Sequence, residues 1–198
     1  SFGYYDHFMI SEITKIINGN LSEAHFLDQK IRSHLYYFCG LYCDKIINDY
    51  SNAVIYYLKA MHDNDVRKYT AHNLGAIYAK QCKFELAERY FLISVECGHG
   101  IAMNNLGALY YKQEKYELAK KYFTMIYWIK NPEASYNLGR THIELNDLKS
   151  AEQCFLMGSA NGSSGSMYEL GIIYEDNNKL ELAEKYYTMS LEKGYAGN

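Results

Sequence analysis

The chain has 198 residues, 48% of them hydrophobic and 22% charged, with a formal net charge of −3. No apolar run approaches the roughly 18 residues of a membrane span, and no basic run exceeds a pair such as Arg67-Lys68 or Lys120-Lys121. Composition therefore argues against a membrane partner and against nucleic acid, because neutralising phosphates needs a clustered basic stripe.

In chain order, Tyr4 to Ile17 and Leu21 to Ile31 read as two amphipathic helices around Asn18-Gly19-Asn20, so residues 1–32 are expected to form an N-terminal helical cap or a diverged repeat. An imperfect unit follows over residues 33–67, in which Gly40, Tyr50, Ala53 and Tyr57 foreshadow a pattern, with one extra residue in the turn. From there the pattern is strict. Leu74-Gly75, Leu106-Gly107, Leu138-Gly139 and Leu170-Gly171 stand 32 residues apart. Twelve residues after the glycines come Ala87, Ala119, Ala151 and Ala183, and four residues later Phe91, Phe123, Phe155 and Tyr187.

Alanine and aromatic share a helix face at this i,i+4 spacing, and polar clusters such as Gln81-Cys82-Lys83 and Asn177-Asn178-Lys179 break the chain before them. Each unit is thus predicted to hold two helices, over residues 68–99, 100–131, 132–163 and 164–195. Outer breaks at Cys97-Gly98-His99-Gly100 and Lys130-Asn131-Pro132 fit the placing of glycine after helices and proline at their starts. A glycine inside a helix costs roughly 1 kcal/mol relative to alanine, so four at one phase imply close approach. The expectation is that the two helices cross tightly at Gly75 and Ala87, with aromatic residues filling the gap beside the crossing. Gly75→Leu should then force the pair apart.

The stretch Met103 to Gln113, Met-Asn-Asn-Leu-Gly-Ala-Leu-Tyr-Tyr-Lys-Gln, resembles the first helix of the tetratricopeptide repeat. The endings Cys97-Gly98-His99-Gly100-Ile101-Ala102 and Glu192-Lys193-Gly194-Tyr195-Ala196 are more similar to the related Sel-one-like repeat. The resemblance runs from about Lys68 to Gly194 and, imperfectly, from Ser33 to Asp63. It implies an all-α fold, a right-handed α-solenoid of stacked antiparallel helix pairs. Departures are the period of 32 in place of about 34, His142 where sister units have tyrosine, and Gly158 inside a second helix.

Cys39, Cys43, Cys82, Cys97 and Cys154 are odd in number and lack paired CxxC spacing, so neither a disulfide framework nor a zinc site is indicated and a reducing, cytoplasmic setting is expected. Cys39 and Cys43, near His34, read as small buried hydrophobes, and His72 and His142 as packing residues. No catalytic motif, metal site or cofactor site is apparent, so the chain is expected not to be an enzyme. The opening at Ser1 and the stop at Asn198, where a further unit would begin, read as those of a piece of a longer protein.

In stacked pairs of this kind the first helices line a concave groove. Candidate partner-binding residues there are Asn73, Lys80, Asn105, Tyr111, Lys112, Tyr136, Asn137, Arg140 and Glu169. The asparagine column Asn73, Asn105 and Asn137 suits the backbone of an extended peptide. Charge changes sign from Lys80 and Lys112 to Glu144 and Asp176, predicting a bipolar groove. A dicarboxylate clamp of the kind some tetratricopeptide domains carry does not assemble from these residues. The expected function is a non-catalytic scaffold or adaptor for a peptide or partner protein. The alternatives are a self-assembling module, through Leu182, Tyr186, Tyr187 and Leu191 of the last helix, or a substrate-presenting arm of a larger enzyme.

Overall fold

Short polar side chains set where five of the helices begin. The computed structural model describes residues 29–127 and 131–195; the helices expected over Tyr4 to Ile17 and most of Leu21 to Ile31 lie outside them. The chain divides into two compact units, one ending at Ala102 and the other beginning at Met103. In the first lie α1 (Gln29–Leu41), α2 (Tyr50–Ala60), α3 (Asn64–Lys80) and α4 (Phe84–Glu96). Then follow α5 (Gly100–Lys112), α6 (Tyr116–Tyr127), α7 (Pro132–Glu144), α8 (Leu148–Ala160), α9 (Ser164–Asp176) and α10 (Leu180–Glu192). The described residues contain no strand, and the fold is an all-α helical repeat. The Asp49, Asp63, Asp147 and Ser163 side chains each accept a backbone N–H of the helix they precede, and Asn131 accepts two.

The inner turns repeat one backbone device. Cys82, Glu114, Asn146 and Asn178 all adopt left-handed φ of 57° to 59°, each just after a first helix. In the irregular first pair the extra residue is absorbed by a π-helical turn, Tyr42–Ile46, followed by Asn48 at φ 56°. Asparagine tolerates this conformation and glutamate pays about 1 kcal/mol for it. Glu114→Asn is therefore expected to raise stability by up to about 1 kcal/mol, and Glu114→Val to lower it by a similar amount. Urea midpoints at constant m-value check both.

The recurring glycines are seats for rings. A Cβ added to Gly75 would stand 2.6 Å from Cδ1 of Phe91, and one on Gly107 or Gly139 equally close to Phe123 or Phe155. Gly40 faces Tyr57 and Gly171 faces Tyr187 in the same way. The ring is what each glycine makes room for: at Gly75, Gly107 and Gly139 three ring atoms stand within 2.9 Å of the Cβ position. Tyr57, Phe91, Phe123 and Phe155 are the buried centres of their pairs, and Tyr187 in the last pair is half-buried.

A second set of rings packs beside the first. Tyr78 stacks on Tyr90 at 5.5 Å, Tyr110 on Tyr122 at 5.6 Å and Tyr174 on Tyr186 at 5.5 Å. A lysine from the inner turn lies over the first ring each time: Lys83, Lys115 and Lys179, at 5.6 to 5.9 Å. In the α7–α8 pair the same three register positions hold His142, Cys154 and Asp147. The whole set changes together, and His142 Nδ1 lies 3.4 Å from the Asp147 carboxylate.

Candidate partner-binding face

In the first unit the structure gives Asn73 and Lys80 internal partners. Asn73 Nδ2 donates to the Tyr57 hydroxyl at 3.1 Å, and Asn73 also hydrogen-bonds Tyr37. Lys80 Nζ lies 5.3 Å from the centre of the Tyr50 ring. Tyr57 rests on Gly40, so Asn73 ties α3 to the ring seat of the α1–α2 pair.

In the second unit the face is built from α5, α7 and α9. Asn137 Nδ2 donates to Oδ1 of Asn104 at 3.2 Å, and Asn104 is buried. Asn105, its half-buried neighbour, is not the residue Asn137 engages, so the asparagine column does not form one ladder of equivalent contacts. Lys112 is exposed at the end of α5.

Tyr111, Tyr136, Arg140 and Glu169 do come together. The Arg140 guanidinium lies 5.6 Å from the Tyr111 ring centre and 6.0 Å from that of Tyr136, and it hydrogen-bonds Tyr136. Tyr111 donates from its hydroxyl to Glu144 Oε1 at 2.8 Å, and Tyr116 also hydrogen-bonds Glu144. Burial and the Glu144 carboxylate push the Tyr111 phenol up to about 12. Glu169, half-buried on α9, has its carboxyl raised by desolvation, opposed by the charge of Arg140. Gly165 lets α9 approach Tyr136, whose Cε2 would lie 3.0 Å from an added Cβ.

Two further residues belong to this face. Tyr168 is 37% exposed and stacks on Tyr195 at 4.8 Å, and the Tyr195 phenol is raised by burial first, then by nearby Tyr136 and Glu169, opposed by Arg140. Tyr168 stands one period after Tyr136, a signal the sequence offers; Tyr195 follows the last turn with no such signal. The face is thus a run of tyrosines around one exposed arginine, with Glu144 and Glu169 flanking it.

The last helix contributes less open surface than its sequence implies. Tyr186 stacks on Tyr174, and Tyr187 sits on Gly171 with its hydroxyl donated to Glu175 at 2.6 Å. Leu182 and Leu191 are exposed.

Cys39, Cys43 and Cys154, like His72, His99 and His142, are packed residues, whereas Cys82 and Cys97 are exposed. Burial pushes the Cys39 thiol up to about 12 and Cys154 up to about 11, away from the thiolate that nucleophilic or metal chemistry needs. His72 packs edge-on against His99 at 5.1 Å, and burial, then the His99 charge, holds its imidazole down to about 4. Burial lowers His99 and His142 as well. The folded state thus binds these protons less readily than the unfolded chain. Stability is full above the ordinary histidine pKa of 6.5 and is lost as pH falls from there towards about 4. His72→Phe is expected to flatten that decline, measured as urea stability against pH; an unchanged slope would remove His72 from the account. Glu169 has the opposite sign. Its raised carboxyl makes ionisation costly in the fold, so Glu169→Gln should stabilise at pH 7 and have no effect at pH values where the carboxyl is protonated in both states.

One family profile of the tetratricopeptide repeat matches residues 101–124, and a second matches 132–156 and 164–192. The repeat is typically a non-catalytic module for protein–protein interaction. No curated protein matches the sequence. Among solved structures, BtubC from P. vanneervenii is similar with a TM-score of 0.72 at 16% identity, covering 96% of this chain and 94% of its own. MamA from Desulfovibrio magneticus RS-1 gives 0.68 at 16% identity over 87% and 98% of the two chains. YrrB, described as a TPR protein with an unusual peptide-binding site, gives 0.65 at 19% identity over 93% of each. These likenesses place the fold in the helical-repeat solenoid class. Among the described residues no helix is long and apolar enough to cross a membrane.

Proposed function

We propose that this chain, which carries tetratricopeptide repeats, is a non-catalytic scaffold that holds a peptide segment or partner protein on the face formed by α5, α7 and α9. The observation that carries this reading is the cluster of Tyr111, Tyr136, Arg140 and Tyr168. Tyrosine and arginine are the residues on which interface energy concentrates, because each offers a large rigid surface with a polar edge. Here Arg140 is fixed between two rings while still exposed, so little side-chain freedom remains to be lost on binding. The Asn column takes a lesser part, since Asn73 and Asn137 already serve internal contacts.

The test is a displayed peptide library selected on the full chain, followed by affinity measurement on Arg140→Ala and Tyr168→Ala. Both side chains stand at the surface, so helical content should stay at the parent level. A loss of about 2 kcal/mol or more in binding is expected for at least one of them. Selected peptides that bind both variants as tightly as the parent would place the interface elsewhere.

A further inference from the structure

A cavity of about 280 Å³ opens in the first unit, lined by Gln29, Arg32, Ser33, Tyr36, Lys59 and His62. Gln29, Arg32, Ser33 and Tyr36 recur at helical spacing, so one side of α1 forms one wall; Lys59, from the last turn of α2, and His62, just beyond it, form the other. Among the described residues no carboxylate lines it. Two described acids near it are committed elsewhere: Asp65 pairs with Lys30 at 2.5 Å, and Asp63 lies 3.6 Å from His34 and caps α3. Lys30 and His34 are four residues apart, on a different side of α1 from Arg32. The helix therefore sorts its basic side chains, sending two to the aspartates and one to the cavity. Lys59 is held over the rings of Tyr36 and Tyr56 at 5.3 and 5.9 Å, which orients its ammonium without neutralising it. Among the described residues neither Arg32 nor Lys59 has a carboxylate at ion-pair distance.

We propose that this cavity binds the phosphate group of a phosphate monoester. Such a group is close to a dianion at neutral pH with three strong acceptor oxygens. Arg32 and Lys59 match its charge, a guanidinium taking two oxygens at once. The Gln29 amide, the Ser33 and Tyr36 hydroxyls and the His62 ring supply further donors. At this volume the cavity lies just below the roughly 300–1,000 Å³ of sites that enclose whole ligands, so it suits one group of a larger molecule. That molecule is either a phosphorylated side chain of a protein or a small free phosphate ester, two sources of the same chemistry.

The experiment is calorimetric titration of the full chain at low salt with inorganic phosphate, with a phosphoserine tripeptide and with the same peptide unphosphorylated. Phosphate-dependent binding at one site is expected, weakening as salt is added, and falling about tenfold or more in Arg32→Gln/Lys59→Gln. A charge-matched control, Lys149→Gln/Lys185→Gln, should bind as the parent does. Tighter binding of the phosphopeptide than of phosphate assigns the phosphorylated side chain as the source, and equal affinity assigns the free ester. Failure of both probes to bind the parent, unaltered binding by the Arg32/Lys59 variant, or equal loss in the control would each overturn the proposal. If that variant loses helical content, Lys59→Met, which keeps the aliphatic stem over Tyr36, replaces it; unchanged affinity there would have the same force.

Discussion

Gly75→Leu is expected to cost more than about 3 kcal/mol, and Gly75→Ala about 1–3 kcal/mol, even though alanine ordinarily stabilises a helix by about 1 kcal/mol relative to glycine. The reason is the ring of Phe91, which leaves 2.6 Å for a Cβ where ordinary contact needs well over 3 Å. The ring cannot retreat, because Phe91 is 2% exposed and shares its surroundings with His72 at 5.9 Å. Phe91→Leu opens a cavity and costs stability by itself. Combined with Gly75→Ala it should cost less than the two single changes together, by about 1 kcal/mol or more. Chemical denaturation of the four proteins measures this coupling. Stabilisation by Gly75→Ala alone would show that the seat tolerates a side chain and that the ring is not the cause of the glycine.

Gly158→Ala is the second change with a large expected effect, and its cause lies between pairs within the second unit. The added Cβ would overlap Ser166 Oγ and stand 2.9 Å from Ser166 Cβ and 3.3 Å from Ser135 Cβ, so α7, α8 and α9 meet at this point. In two other pairs the same register holds a serine that reaches back to its own first helix: Ser94 Oγ donates to the Lys68 carbonyl at 2.6 Å and Ser190 Oγ to that of Ser164 at 2.8 Å. In the α7–α8 pair the hydroxyl is gone and Ser166 of the next pair occupies the space. A loss of about 1–3 kcal/mol is expected, partly recovered in Gly158→Ala/Ser166→Gly. Ser166 Oγ is buried without a hydrogen-bond partner, so Ser166→Ala alone should be neutral or stabilise by up to about 1 kcal/mol. Thermal unfolding of the three variants orders them, and a Gly158→Ala protein more stable than the parent would refute the three-helix contact.

The sequence made the repeat legible because a period of 32 imposes the same residue on the same packing environment several times over. It did not show what the glycine touches, since close backbone crossing and a ring seat demand the same small residue at the same phase. The inner turns were legible at Asn146 and Asn178, whose side chains favour left-handed backbone, and illegible at Cys82 and Glu114, whose side chains carry no such preference. At the candidate face, Arg140 and its tyrosines were visible as exposed residues of first helices. The use of Asn73 and Asn137 inside the fold was not, because their partners, Tyr57 and Asn104, lie 16 and 33 residues away in the sequence. His142 was visible as an exception to tyrosine. That Cys154 and Asp147 depart with it emerges only once the stacked rings and their lysines are seen as a set.

Each of the four regular ring seats joins residues 16 apart in the chain, from Gly75 and Phe91 to Gly171 and Tyr187. Closing so short a loop is a fast event, and contacts of low sequence separation speed folding. A helix pair can therefore form its buried centre from its own residues and reopen on its own, with amide exchange set pair by pair more than by a single global unfolding. The irregular first pair, whose Gly40 and Tyr57 stand 17 apart and whose turn is the π-helical Tyr42–Ile46, is where protection against exchange should be lowest among the ring seats.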